Sequence, residues 1–447
     1  MTVTPTDLRL RPLRDAAWIA AATALVVCLP FASGPAALAG LLLAGVAALG
    51  AALAVWTAAP AVLVTLVPAL LPSPMIALTF GWEIALVLLA CVVALHGLRI
   101  RAAWLTELDP LEVSLLLFTA YGLFTGFWSP DQRFYVLGAR RLLLGCVTLW
   151  VASRLPHIAP RPWFDWGVIA AASALAITAL LHNASTGFSP MQALIHRTET
   201  TNLGWGTANY VATLLLLCAP TMLRLVVSTR GPGQVATLAA WILTAQVQLI
   251  VASRAATVLF LGGTITQLLR AARRFRAWVL AGSAVILAAT LLSPLGAMLL
   301  TRLVSLRELG SMTIRIWYFR EGGRRLVENL PWGMGLSQGY AHGDKLQGID
   351  PHNYWLLLGG DLGIPGVLLW AAVLVVLVRR CLALRRPPDP RPGDADVLLL
   401  TIVLANLHTL VEPTYQGTQY TFLFFWIVGG TLAYARAARP APSPSGV

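Results

Sequence analysis

The chain has 447 residues, of which 57% are hydrophobic and only 11% charged, with a mean hydropathy of +0.74 and a formal net charge of +13. A soluble domain carries about 25% charged residues, so this chain cannot clothe a water-facing surface, and lipid is the solvent that suits it. The positive charge does not point to nucleic acid, because the basic residues cluster at the ends of apolar runs, as membrane topology requires.

The runs are continuous and rich in Leu, Ala and Val. Barrel strands would alternate apolar with polar residues, so these are helices. No cleavable signal peptide is evident, since the first apolar run feeds directly into a second. The five cysteines, Cys28, Cys91, Cys146, Cys218 and Cys381, are scattered and read as small buried hydrophobes.

In chain order, residues 1–15 form a basic N-terminus and 16–298 a transmembrane helical region. Taking roughly 20 apolar residues per crossing, candidate spans lie near 16–33, 35–56, 58–72, 79–98, 111–128, 135–152, 166–182, 205–224, 234–252, 254–270 and 277–298. A polar segment follows at 299–354, too long for a tight turn. C-terminal spans occupy 355–378, 396–412 and 418–436, within 355–436, and a Pro/Ser-rich tail at 437–447 reads as disordered. The expected architecture is an all-α polytopic membrane protein of about 12–14 helices.

Arginine sets the orientation. Arg9, Arg11 and Arg14, then Arg99 and Arg101, Arg154 and Arg161, Arg224 and Arg230, Arg270 to Arg276, Arg379 to Arg391, and Arg436 and Arg439 all fall on one side. The positive-inside rule makes that side cytoplasmic, with both termini on it. Segments 183–204, 299–354 and 412–418 then face outward. Within the large loop, Met312, Ile316, Phe319 and Leu326 repeat at helical spacing, so Ser311 to Leu330 is expected to form an amphipathic helix at the membrane face.

Three outer-side features carry chemistry. His352, in Asp350-Pro-His-Asn-Tyr354, sits where loop meets span. Its imidazole can take up a proton near neutral pH, although a lone histidine serves equally as a cap. Arg254, after Ser253, opens a span on the side where arginine is disfavoured, which suggests an anionic partner or a side chain snorkelling to headgroups. Arg302, Arg307, Arg315, Arg320, Arg324 and Arg325 line the large loop, and His196 and Arg197 join them from 183–204. Arginine clusters suit phosphate. No carboxylate cluster, His/Cys set, P-loop or GxGxxG element suggests a metal or nucleotide.

The block from Arg315-Ile-Trp-Tyr-Phe through Asn329-Leu-Pro-Trp-Gly-Met-Gly-Leu, then His352-Asn-Tyr-Trp and Gly363-Ile-Pro-Gly, resembles the O-antigen ligase and polymerase superfamily of bacterial inner-membrane proteins. Ser253-Arg254-Ala255 and Asn209 fit the same pattern, and the likeness covers roughly residues 202–375. Trp332 stands where a smaller aliphatic residue is usual, which either reshapes the acceptor site or has no consequence.

The resemblance implies a glycosyltransferase C-type fold with a large periplasmic loop. It implies metal- and cofactor-free transfer of a glycan from undecaprenyl pyrophosphate to an acceptor sugar hydroxyl. His352 would be the general base, and Arg254 and Arg315 the pyrophosphate clamp. Arg197, Asn209, Arg320, Asn353 and Tyr354 complete the expected substrate-binding set. The acceptor would be lipid A-core for a ligase, or a growing O-antigen or exopolysaccharide for a polymerase, and sequence does not separate the two. A polysaccharide transporter or flippase is the reading from another class. It predicts internal repeats, whereas the polar residues here gather at one face.

Overall fold

The computed structural model describes residues 59–72, 81–99, 102–185, 208–251, 253–270, 309–340, 352–385, 392–412 and 414–438. Among them there is no strand. Twelve α-helices follow in order: α1 (Ala59–Ala69), α2 (Gly81–Arg99), α3 (Pro110–Phe124), α4 (Gln132–Ile158), α5 (Arg161–Ser185), α6 (Ala208–Ser228), α7 (Pro232–Val251), α8 (Arg254–Arg270), α9 (Leu309–Glu328), α10 (Tyr354–Ala383), α11 (Pro392–Thr409) and α12 (Thr418–Ala437). The spans expected at 16–33, 35–56 and 277–298, together with residues 1–15, Arg197, Arg302 and Arg307, lie outside the described residues, as does the tail beyond Ala438.

Among the described residues, six helical segments are long and apolar enough to cross a membrane: Ala103–Phe127, Gln132–Ile158, Arg161–Ser185, Asn209–Ser228, Pro232–Val251 and Tyr354–Ala383. Helix α12 runs through the middle of the bundle, with every residue from Tyr420 to Ala435 buried. A helix apolar on all sides is an interior helix. It packs most extensively on α4 and also touches α6 and α11. Small residues permit that approach: a Cβ on Gly429 would come within 3.0 Å of Ala152 and 2.9 Å of Leu149, and one on Gly145 within 3.1 Å of Thr421.

Helix α4 is longer than its apolar run, because it carries Arg140 and Arg141 within its first turns. Charge within an apolar helix bundle needs a partner. Arg140 pairs with Glu83 of α2, and Arg141 donates to Ser337 Oγ at 3.1 Å. The arginines expected on one side meet carboxylates at one end of the bundle. Arg161 grips Asp394 at 2.5 and 2.7 Å, and Arg224 reaches Asp165 at 2.6 Å. Arg380 and Arg436 share Asp109, and Arg154 binds Glu112.

At the other end, α10 is broken. Gly363 leaves the helical region with φ 64° and ψ −164°, and Pro365 follows. A break inside a span exposes backbone groups that need partners. The loop after α9 supplies them: Ile364 donates to Pro331 O at 2.9 Å, Met334 to Gly360 O at 2.9 Å and Gly335 to Asp361 O at 2.8 Å. The Asp361 carboxylate accepts from Gly339 N at 2.6 Å. Glycine is required where the two backbones touch. A Cβ on Gly363 would stand 2.0 Å from Pro331 O, and one on Gly333 2.3 Å from Asp361 O.

Candidate functional site

The turn from α11 to α12 carries Glu412. It is held by Val411 and Glu412 amides donating to His408 O, both at 3.0 Å, and by Gly417 tucked under the Tyr210 ring of α6. The Glu412 carboxylate is almost fully enclosed and receives three donors from three elements. Asn209, at the start of α6, donates Nδ2 to Oε1 at 2.5 Å. Arg315 of α9 reaches the same oxygen at 3.2 Å. His352, just before α10, places Nδ1 3.3 Å from Oε2.

Local structure explains each placement. His352 adopts φ 48°, a left-handed conformation uncommon outside glycine. That turns the chain so that Asn353 becomes the N-cap of α10. Asn353 Oδ1 accepts from Trp355 N at 2.9 Å and Leu356 N at 3.0 Å, and its amide donates to Leu410 O at 3.1 Å. The cap thus ties the His352 turn to the end of α11. The Tyr318 ring stands 5.4 Å from the imidazole, one turn of α9 beyond Arg315.

Burial opposes ionisation of Glu412. The hydrogen bond and charge of His352, with the charges of Arg315 and His408, outweigh it and hold the carboxyl below its ordinary range. His408, one turn back in α11, is buried with Nδ1 3.3 Å from Thr213 Oγ1. Arg315 and His352 remain partly open, so the cluster is a carboxylate floor with a guanidinium and an imidazole at its mouth.

Of the residues singled out in the sequence, Asn209, Arg315 and His352 come together. Arg254 opens α8 at this same end, exposed, and α8 packs on α6 and α11. Arg320 is exposed and lies five residues past Arg315, about 140° round the helix from it. Asn353 is a cap, and Tyr354 is buried against Trp370 and Tyr415. Both are engaged in the fold, Tyr354 buried and Asn353 half-buried. Arg197 lies outside the described residues. The sequence reading passed over Glu412 and Tyr318. Glu412 is an acid in a short outward segment, and Tyr318 shares a helix face with Arg315; those were the available signals. Among the described residues no three His, Cys, Asp or Glu side chains gather as a metal site would need.

No protein-family model and no curated protein matches the chain. The site is therefore read from its own geometry.

Proposed function

We propose that this chain is a multi-pass inner-membrane glycosyltransferase of the O-antigen ligase and polymerase type, with a glycosyltransferase C-type fold. It would move a glycan from undecaprenyl pyrophosphate to an acceptor sugar hydroxyl, that of lipid A-core in the ligase case, on the periplasmic face. The observation that carries the reading is the convergence of Asn209, Arg315 and His352 on Glu412. These three residues are spread over 144 positions of sequence and are carried by α6, α9 and the turn into α10. Arg254 at the head of α8 and the arginines of α9 support it as well.

In this reading Glu412 accepts the Nδ1 proton of His352 and fixes the tautomer whose Nε2 can accept. Nε2 takes the proton of the acceptor hydroxyl, and the hydroxyl oxygen attacks the anomeric carbon. The bond from that carbon to the pyrophosphate oxygen breaks, and the leaving group departs with the electron pair. The configuration at the anomeric carbon inverts. Arg315 commits one nitrogen to Glu412, and the rest of its guanidinium faces the open side. With Arg254 it would stabilise the charge that grows on the pyrophosphate. Glu412 acts through His352 and Arg315 and is a positioning residue. No metal takes part in this scheme.

The test is complementation of a deletion strain with wild type or His352→Ala at matched membrane expression. The readouts are surface lipopolysaccharide and the lipid-linked glycan pool. Loss of long-chain lipopolysaccharide with accumulation of full-length lipid-linked glycan supports ligation. A pool of single repeats assigns the same chemistry to a polymerase. Unchanged lipopolysaccharide would sink the proposal.

A further inference from the structure

The loop that fills the break in α10 shows two unlike faces. Its backbone points inward, and six backbone groups between Pro331 and Gly335 are bonded within the protein. Pro331 O accepts from Ile364 N at 2.9 Å. Trp332 O accepts from Tyr121 Oη at 3.3 Å, and Gly333 O from Trp128 Nε1 at 3.2 Å. The amides of Gly333, Met334 and Gly335 donate to Asn329 O, Gly360 O and Asp361 O at 2.7, 2.9 and 2.8 Å.

Two of its apolar side chains are exposed, while Met334 is half-buried against α9 and α10. Trp332 is 60% exposed, and Leu330 is exposed beside it in sequence. The groups that hold this backbone, Tyr121 and Trp128, belong to the last turns of α3 and the 3-10 turn after it. There Phe124 is exposed and Phe127 is 86% exposed, with Phe124 stacked edge-on against both Phe127 and Trp128. Phe124 continues a stripe of exposed residues on α3: Val113, Leu116, Leu117 and Ala120. That stripe is the outward face of the crossing segment Ala103–Phe127.

We infer that Phe124, Phe127, Leu330 and Trp332 form a wedge seated in the bilayer at the boundary between headgroups and acyl chains. A loop in water leaves its backbone groups to solvent and presents polar side chains. This loop does the reverse: its backbone is internally bonded and its aromatic and aliphatic side chains face out, which is what lipid demands. Trp at the end of a crossing helix is a residue that anchors there, and Phe adds apolar area beside it. The usual bulk of such a patch would otherwise be an aggregation hazard.

The inference gives Trp332 a lipid-facing role in place of a reshaped acceptor site. Its side chain faces away from the α10 break, and the loop is clamped between lipid on one side and the broken helix on the other.

The test reads depth, so it stands or falls apart from catalysis. In a chain with all five cysteines replaced, Trp332→Cys and Phe127→Cys each carry an environment-sensitive NBD label. Arg230→Cys serves as the water reference and Leu117→Cys as the acyl-chain reference. The protein is placed in nanodiscs of phosphatidylethanolamine and phosphatidylglycerol. Quenching by a lipid with a shallow nitroxide is compared with quenching by aqueous iodide. The wedge requires both labels to be quenched by the nitroxide and shielded from iodide, unlike position 230. Iodide quenching without nitroxide quenching would place the loop in water and overturn the inference. Protection from both quenchers would place protein over the patch, a second copy included, and overturn it equally. Two label sites guard against one variant failing to fold.

Discussion

The two ends of the bundle handle charge in opposite ways. At the arginine-rich end, Arg161 and Arg224 meet Asp165 and Asp394, two cations on two buried carboxylates. Arg154 meets Glu112 with both side chains nearly inaccessible. These groups neutralise one another and leave little to offer a ligand. At the opposite end a single carboxylate, Glu412, serves Asn209, Arg315 and His352, and the last two stay partly open. A charge cluster that holds a fold closes on itself. In the proposed reading, the partly open Arg315 and His352 are the groups that would meet an anion.

The largest expected effects test that contrast directly. His352→Ala should lower transfer by about 10²–10⁴-fold, the contribution of a positioned general base, with little change in the melting temperature of the detergent-solubilised protein. Glu412→Gln should lower turnover by up to about 10⁴-fold, the loss seen when a carboxylate orienting a catalytic histidine is neutralised. Asp394→Asn should do the reverse. Leaving Arg161 and Arg224 short of a carboxylate should destabilise by about 3–5 kcal/mol, while the turnover of the protein that still folds stays near wild type. If Asp394→Asn and Glu412→Gln affect turnover per folded molecule alike, the distinction between the two ends is wrong.

Next in size is the seam between loop and broken helix. Gly363→Ala places a Cβ 2.0 Å from Pro331 O at a positive φ, and such strain costs of order 1–3 kcal/mol before any clash is counted. The expected outcome is a lower yield of monodisperse protein and a lower melting temperature. An unchanged melting temperature would mean that the loop does not seat on α10 as described.

How much of this was legible beforehand differs between the ends as well. Continuous apolar runs announce helices, so α3, α5, α6, α7 and the second half of α10 are readable from hydropathy alone. The helix at Leu309–Glu328 follows from the spacing of Met312, Ile316, Phe319 and Leu326. The first turns of α4 are not readable that way. The span expected at 135–152 runs across Arg140 and Arg141, but hydropathy does not show that Glu83 and Ser337 meet them. Glu412 was missed for the same reason: its importance lies in partners 60, 97 and 203 residues away. Asn353 and Tyr354 share a motif with His352, yet motif adjacency does not tell a cap or a core ring from a reacting group. Only the backbone turn at His352 separates them.

Protonation sharpens the comparison further. Glu412 has a folded pKa below its ordinary value of 4.5. Its pairing therefore stabilises the protein fully above that value and is lost as the pH falls through the lower, folded one. Melting temperature measured from about pH 6 down to about pH 3 should decline at its acid end, and the decline should be shallower in Glu412→Gln. A steep loss centred near neutral pH would have to come from another group.

The smallest effect belongs to the exposed face of α9, where Glu321 accepts from Arg324 at 2.5 and 2.9 Å and from Arg325 at 3.1 Å. The Arg324 hydrogen bond, against slight burial and with help from Arg325, lowers the Glu321 carboxyl to about 2. By the same sign rule its contribution is complete above 4.5 and fades between 4.5 and about 2. Arg324 is 57% exposed, however, so water and salt screen the pair. Glu321→Gln should shift the melting temperature by at most about 2 °C at low salt, and by less at 0.5 M salt, roughly three to four times the physiological ionic strength. Like the arginine-rich end, this cluster balances acid against base, but it does so in the open. A large, salt-insensitive loss would mean that α9 is covered on its outer face.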